Sequence, residues 1–252
     1  MLRSGCVRIA RLVLALAPSL TISPAEAADW YTGAPVPKAA DEWIVSLDAS
    51  TTASSTKSYF AYAGATAAVT GNLLTSGPRF RAEGVVGTYQ YRSVIDTSIK
   101  GTQVQFAALA GYELVWLDAK LAGYLGVSAL NISLSSPDPA HPATGTNVGV
   151  KAALDFYART SERTMASAYG SISSNDRGYF TRLRAGYQVA GGLFLGPEAA
   201  LMGNDSYALW RVGGHVTGMR MGPVQGSLAL GYQQDRDQKT GVYGAADLRV
   251  QF

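Results

Sequence analysis

Cysteine is almost absent. Cys6 is the single one in 252 residues, so no internal disulfide framework can hold this fold. Charge is scarce too: Asp, Glu, Lys and Arg make up 15% of the chain, where a soluble domain carries about 25%. Histidine is limited to His141 and His215, which lack the spaced clustering of zinc ligands. No stretch reaches the roughly 20 consecutive apolar residues of a membrane-spanning helix, which excludes a helical membrane protein. A net charge of +3 gives no basis for nucleic-acid binding. Disorder is excluded as well, because apolar and aromatic residues run the whole length.

What is present is 47% hydrophobic residues, 28 glycines and 14 tyrosines, with the apolar residues spread at alternate positions. The first 27 residues differ. Arg3, Arg8 and Arg11 precede a short apolar stretch from Leu12 to Ile22, and Ala25-Glu26-Ala27 is an A-x-A site. This pattern predicts a secretory signal peptide cleaved between Ala27 and Ala28. Cys6 lies before the apolar stretch, the wrong side for lipid attachment. Cleavage removes Arg3, Arg8, Arg11 and Glu26 from 21 Lys+Arg and 18 Asp+Glu, leaving 18 against 17. The mature chain then has no cysteine. Residues 28–40, with Pro35 and Pro37, lack periodicity and read as a periplasmic lead-in to one domain over 41–252.

From there, period 2 dominates. Val104, Phe106, Ala108, Ala110, Tyr112 and Leu114 alternate with Gln103, Gln105, Ala107, Leu109, Gly111 and Glu113. Residues 147–156 and 224–233 repeat the pattern. Such runs have the length a tilted membrane strand needs, with a small and polar opposite face suited to a lumen. Twelve strands are expected, near 42–50, 58–69, 79–92, 102–115, 118–132, 146–158, 163–173, 178–189, 193–202, 207–217, 224–234 and 241–252. The predicted fold is an all-β, antiparallel up-and-down transmembrane β-barrel in the outer membrane of a Gram-negative bacterium.

An even strand number puts both termini in the periplasm. The tight connections Leu117-Asp118, Ala190-Gly191-Gly192 and Met221-Gly222-Pro223 then fall inside, and the proline-rich stretch Ser133 to Thr144 falls outside. The turn near Gly71 to Gly77 is longer than this rule prefers. Trp43, Tyr112, Trp116, Tyr187 and Phe252 are placed at periplasmic ends and Tyr179, Tyr207 and Tyr232 at extracellular ends, the headgroup levels that aromatics favour. The chain closes on an alternating strand ending in Phe252, the expected signal for the barrel assembly machinery.

Several short patterns resemble a known family, the alphaproteobacterial cellulose biosynthesis protein BcsS. They are Tyr62-Ala63-Gly64-Ala65 running to Gly71-Asn72-Leu73, and Leu134-Ser135-Ser136-Pro137-Asp138-Pro139. Further along come Tyr179 with Arg182, Arg184, Gly186 and Tyr187, then Gly196-Pro197-Glu198, Gly203-Asn204, Arg211 and Gly213. The resemblance implies an outer-membrane barrel associated with cellulose synthesis and secretion, with cellulose and cellulose-synthase components as partners besides lipid.

No catalytic, cofactor-binding or metal-binding set stands out. The nearest to one is His215-Val216-Thr217, where positions i and i+2 share a face and could make an activated hydroxyl. Strand phase sends both into the lumen rather than towards lipid, and no Asn or Asp is placed to orient the histidine. Gly191-Gly192 reads as a turn, since no helix follows to cradle a phosphate. Tyr124, Tyr157, Phe180, Gln188 and Tyr243 point inward by the same parity, as packing or as surfaces for sugar rings. Turn-centred pairing also predicts that Arg184, Glu198 and Arg211 meet at one height in the lumen, as a structural tie or a polysaccharide contact. The expected function is a non-enzymatic barrel in cellulose production, as conduit or accessory component. The alternatives are a lipid or glycan hydrolase, or a porin, the last disfavoured by the lack of a long constriction loop.

Overall fold

Alternating apolar residues leave each strand with one face suited to lipid and one that is not. A sheet in hydrocarbon must also pair every edge N–H and C=O, which only closure achieves. The computed structural model of the protein describes residues 44–92, 98–138, 144–205, 207–236 and 239–252; the signal peptide, its cleavage site, the lead-in, Trp43 and His141 lie outside them. The described residues form twelve strands. These are β1 (Val45–Ser54), β2 (Tyr59–Ala68), β3 (Gly77–Arg92), β4 (Ser98–Val115), β5 (Ala119–Leu134) and β6 (Gly145–Ser161), followed by β7 (Thr164–Ser173), β8 (Tyr179–Ala190), β9 (Leu193–Gly203), β10 (Ala208–Met221), β11 (Val224–Asp235) and β12 (Thr240–Gln251).

Each strand pairs antiparallel with its sequence neighbours, and β1 pairs with β12 to close the barrel. The seam runs from Ser46 opposite Gln251 to Ser54 opposite Tyr243. It continues past the strand ends: Phe252 N donates to Val45 O (3.0 Å), and Ile44 N and Val45 N donate to Phe252 O (2.9 and 2.8 Å).

The barrel is apolar outside and polar inside. Val148 and Leu230 are 74% and 69% exposed, whereas Gln233 and Thr217 are at 0%. In water that distribution would be unstable; facing lipid it is what a spanning barrel requires. Ile44 and Phe252, the first and last described residues, sit at one rim, here the near rim, with the short turns 116–118, 162–163, 191–192 and 222–223. Tyr112, Trp116, Tyr187 and Phe252 are exposed there, and Tyr179 and Tyr232 at the far rim. Tyr207 departs from its expected place among the surface aromatics. The parity that turns Leu209 and Arg211 inward carries it into the lumen mouth, where it stacks on Tyr89 at 6.2 Å.

Four elements differ in extent from the sequence reading by three residues or more: β4 starts at Ser98 and β6 runs to Ser161, and β1 and β10 shift as well. β1 runs on through the Ser/Thr-rich residues to Ser54, and β10 continues past Thr217 to Met221 through a register shift between Thr217 and Met219. Gly218 makes that shift possible: it holds φ +94°, and a Cβ there would fall 2.2 Å from Gly192 O. The long turn between β2 and β3 also has a reason. It folds inward over the near mouth, burying Leu73. Arg79 Nη2 donates to Thr75 O (2.5 Å) and Asn72 O (3.2 Å), and Lys120 Nζ donates to Leu73 O (3.0 Å).

Candidate functional site

Inward parity places charged side chains on most strands, and in the near half of the lumen they pair with charges on neighbouring strands or, for Arg81 and Asp155, across it. Arg79 meets Glu113 at 3.2 Å, with Lys120 at 4.0 Å from the same carboxylate. One layer further in, Arg81 meets Asp155 at 2.9 Å and Arg249 meets Asp48 at 2.5 Å. The Arg81 guanidinium also lies 4.3 Å over the Tyr124 ring. Lys151 and Glu83 form another buried pair at mid-height. A buried charge is tolerated only when paired and hydrogen-bonded, and these pairs fill the near half with side chains. Tyr124 and Tyr157, both expected inward, are packed within this filled region at 5% and 0% exposure.

The expected trio separates. Arg184 stands directly opposite Glu198, with Nε donating to Oε2 at 2.5 Å. Arg211 points into the lumen but pairs with Ala200, while Glu198 stands opposite Gly213. The hairpin explains the shift. It turns through Asn204 to Tyr207, with Gly203 opposite Ala208, so its centre lies one residue later than the Asn204-Asp205 midpoint. Arg211 Nε therefore donates to Gln233 Oε1 (3.0 Å) and its guanidinium rests 4.9 Å over Tyr243. Tyr243 donates its hydroxyl to Glu198 Oε1 at 3.0 Å. The ring fits because Gly213 and Gly231 lie beneath it, and a Cβ at either would come within 2.8 Å of it.

Asp247, which sequence reasoning had not singled out, is the second hub. It accepts from Arg184 Nη2 (2.9 Å), Arg182 Nη1 (3.2 Å) and Ser50 Oγ (2.7 Å). Its inward parity on β12 was readable; its partners, on β8 and β1, were not.

His215 and Thr217 share the inward face, and Nδ1 lies 2.7 Å from Thr217 Oγ1. His215 Nε2 lies 3.1 Å from Ala185 O. A carbonyl can only accept, so Nε2 carries a proton; the single Thr217 hydroxyl proton serves Nδ1 or Ser227 Oγ, not both. Local sequence accounts for this: Pro197 has no N–H to offer Ala185, and the β8–β9 pairing omits both residues. The dyad has a base-and-hydroxyl geometry but no access. His215 and Thr217 are 1% and 0% exposed, and Thr217 Oγ1 continues to Ser227 Oγ (3.3 Å), which accepts from Arg184 (3.0 Å). Among the described residues, no group of His, Cys, Asp or Glu could hold a metal ion.

The far half is different. A cavity of about 290 Å³ reaches the far rim between Asp176 and Tyr207. Its wall is aromatic, with Tyr62, Tyr169, Phe180 and Tyr243 among its residues, and Lys151, Glu83, Arg182 and Glu198 lie at its deep end. Phe180 packs on Tyr169 with centroids 5.7 Å apart. Gln188, expected to join these residues, stands at the opposite rim, where its backbone N donates to Arg163 O (2.7 Å).

The chain is similar to several solved structures. The KdgM porin superposes with a TM-score of 0.44 at 10% identity, covering 82% of this chain and 99% of that one. The translocator domain of the autotransporter NalP from Neisseria meningitidis gives 0.43 at 12% identity, over 83% and 88%. The Acinetobacter baumannii outer membrane protein Omp33 gives 0.40 at 11% identity, over 84% and 100%. A comparison with curated proteins finds no match. The family described as cellulose biosynthesis protein BcsS matches residues 50–252, from within β1 to the last residue. That match spans all but the first few residues of the barrel, and the chain belongs to the cellulose biosynthesis protein BcsS family.

Proposed function

We propose that this protein is a non-enzymatic outer-membrane barrel that serves cellulose export as an accessory component, presenting its cavity at the cell surface. Strand number alone does not decide between an open and a filled lumen. The observation that carries the reading is the near half, where Arg81–Asp155 crosses between the non-adjacent strands β3 and β6, and where the adjacent-strand pairs Arg79–Glu113 and Arg249–Asp48 and the inturned 69–76 segment take up further space. Paired charges of that kind support a closed, docking role over that of a conduit. Periplasmic termini put the near rim towards the cellulose-synthase components and the far cavity outside. Lipid around the barrel and the assembly machinery at its last strand complete the partners of this reading, and no cofactor enters it.

Deletion in the native host tests the proposal. Cellulose dye-binding should fall while lipid A and phospholipid profiles stay unchanged. Thr217→Val, which removes the hydroxyl of the buried dyad, should restore dye-binding wherever the protein assembles. Altered lipids in the deletion strain would favour a hydrolase instead, and unchanged cellulose would end the proposal.

A further inference from the structure

The far cavity ends blind, and its chemistry defines what it accepts. We infer that it is a binding site for the end of a neutral β-glucan chain; this rests on the cellulose reading above for the choice of sugar, but not for the ligand class. Three observations converge.

The first is charge. Three cations, Lys151, Arg182 and Arg211, face three carboxylates, Glu83, Asp176 and Glu198, on the cavity wall. Lys151 is held by Glu83, Arg182 by Asp247 and Arg211 by Gln233, while Glu198 accepts from Arg184 and Tyr243. Asp176 accepts from Asn204 Nδ2 at 3.0 Å and from Gly178 N at 3.0 Å. The charges balance and are already engaged, so nothing in the wall calls for an acidic ligand.

The second is the mixture of ring faces and polar groups. Tyr62, Tyr169, Phe180 and Tyr243 line one cavity, and aromatic faces carry the negative potential that attracts the C–H face of a pyranose. Gln103 and Gln105 reach the same space, and their side chains bond nothing else among the described residues. Each amide offers two donors and an acceptor, which suits vicinal hydroxyls.

The third is shape. About 290 Å³ is at the lower limit of small-molecule sites, roughly 300 Å³, and the buried pairs Lys151–Glu83 and Arg81–Asp155 cross the lumen beneath it between β3 and β6. A polymer can enter by its terminus alone. The cavity therefore holds a chain end, not a chain in transit.

Titration calorimetry on the full-length mature protein refolded in detergent tests this, with cello-oligosaccharide, a cyclic β-glucan and a uronic-acid oligomer as the probes. Cello-oligosaccharide should bind, and the cyclic and acidic probes should bind at least about tenfold more weakly. Phe180→Leu and Gln105→Leu should each weaken cello-oligosaccharide about tenfold, while Leu228→Ala on the lipid face should leave it unchanged. Retention of heat-modifiable migration on gels confirms that each variant is folded. Equal binding of the cyclic glucan, tighter binding of the acidic oligomer, or no binding at all would overturn the inference. If binding fails while deletion still lowers cellulose, the accessory role survives without this site. If the oligosaccharide binds and deletion leaves cellulose unchanged, the site stands and the accessory role falls.

Discussion

Arg184 is bonded to Glu198, Asp247 and Ser227 with almost no exposed surface. Removing one member of a buried pair strands the other, at a cost of about 3–5 kcal/mol. Arg184→Met leaves Glu198 with only the Tyr243 hydroxyl, while Asp247 keeps Arg182 and Ser50, and should lower the unfolding free energy by about that much. Arg211→Met breaks one hydrogen bond to a neutral amide and should cost about 1 kcal/mol. Thermal loss of the folded gel form, or denaturant unfolding in micelles, ranks the two; equal losses would mean that Arg211 shares the Glu198 charge after all. At this scale parity was legible and partnership was not. Inward phase put Arg184, Glu198 and Arg211 in the lumen correctly, but contact required the exact turn centre, and a centre one residue later moved Arg211 opposite Ala200. Arg249 with Asp48 is 201 positions apart in sequence, a pairing that exists only once the barrel closes.

Among the elements, strands were easy to read because membrane strands are long and strictly alternating, so period 2 survives many small residues. Ends were harder, since Ser and Thr in 51–54 extend β1 without an apolar signature and the Gly218 shift hides the continuation of β10. The last strand shows what a single terminal residue does. Phe252 shares three backbone hydrogen bonds with Ile44 and Val45, which fasten the seam, and its ring is exposed at the near rim. Removing Phe252 should reduce assembled protein far more than synthesis, read by immunoblot of membrane against total fractions. Equal levels would show that the seam forms without it. Gly231→Ala probes the neighbouring strands, because its Cβ would fall 2.2 Å from Val212 O and 2.8 Å from the Tyr243 ring. Overpacking costs typically about 1–3 kcal/mol, and here displacement of Tyr243 from Glu198 should add to it. Gly123→Ala, with nothing within 4 Å, should be near neutral in the same assay.

For the whole molecule, the barrel is an inside-out protein whose stability in lipid comes from a closed hydrogen-bond ladder and whose lumen is divided. Charged pairs occupy the near half and an aromatic cavity the far half. That division was not readable in the sequence, since inward Gln, Ser, Arg and Glu are compatible with a filled lumen or a wet one. The fractionated protein should be found in the outer membrane, beginning at Ala28, and should migrate differently when unboiled; recovery in the soluble periplasm would be incompatible with the lipid-facing surface of the strands. The central claim is that the barrel does not pass solute. Conductance of the purified protein in a planar lipid bilayer tests it most directly. The account predicts no stepwise currents from the native protein in simple salt, whereas steady single-channel steps of a water-filled pore would contradict it.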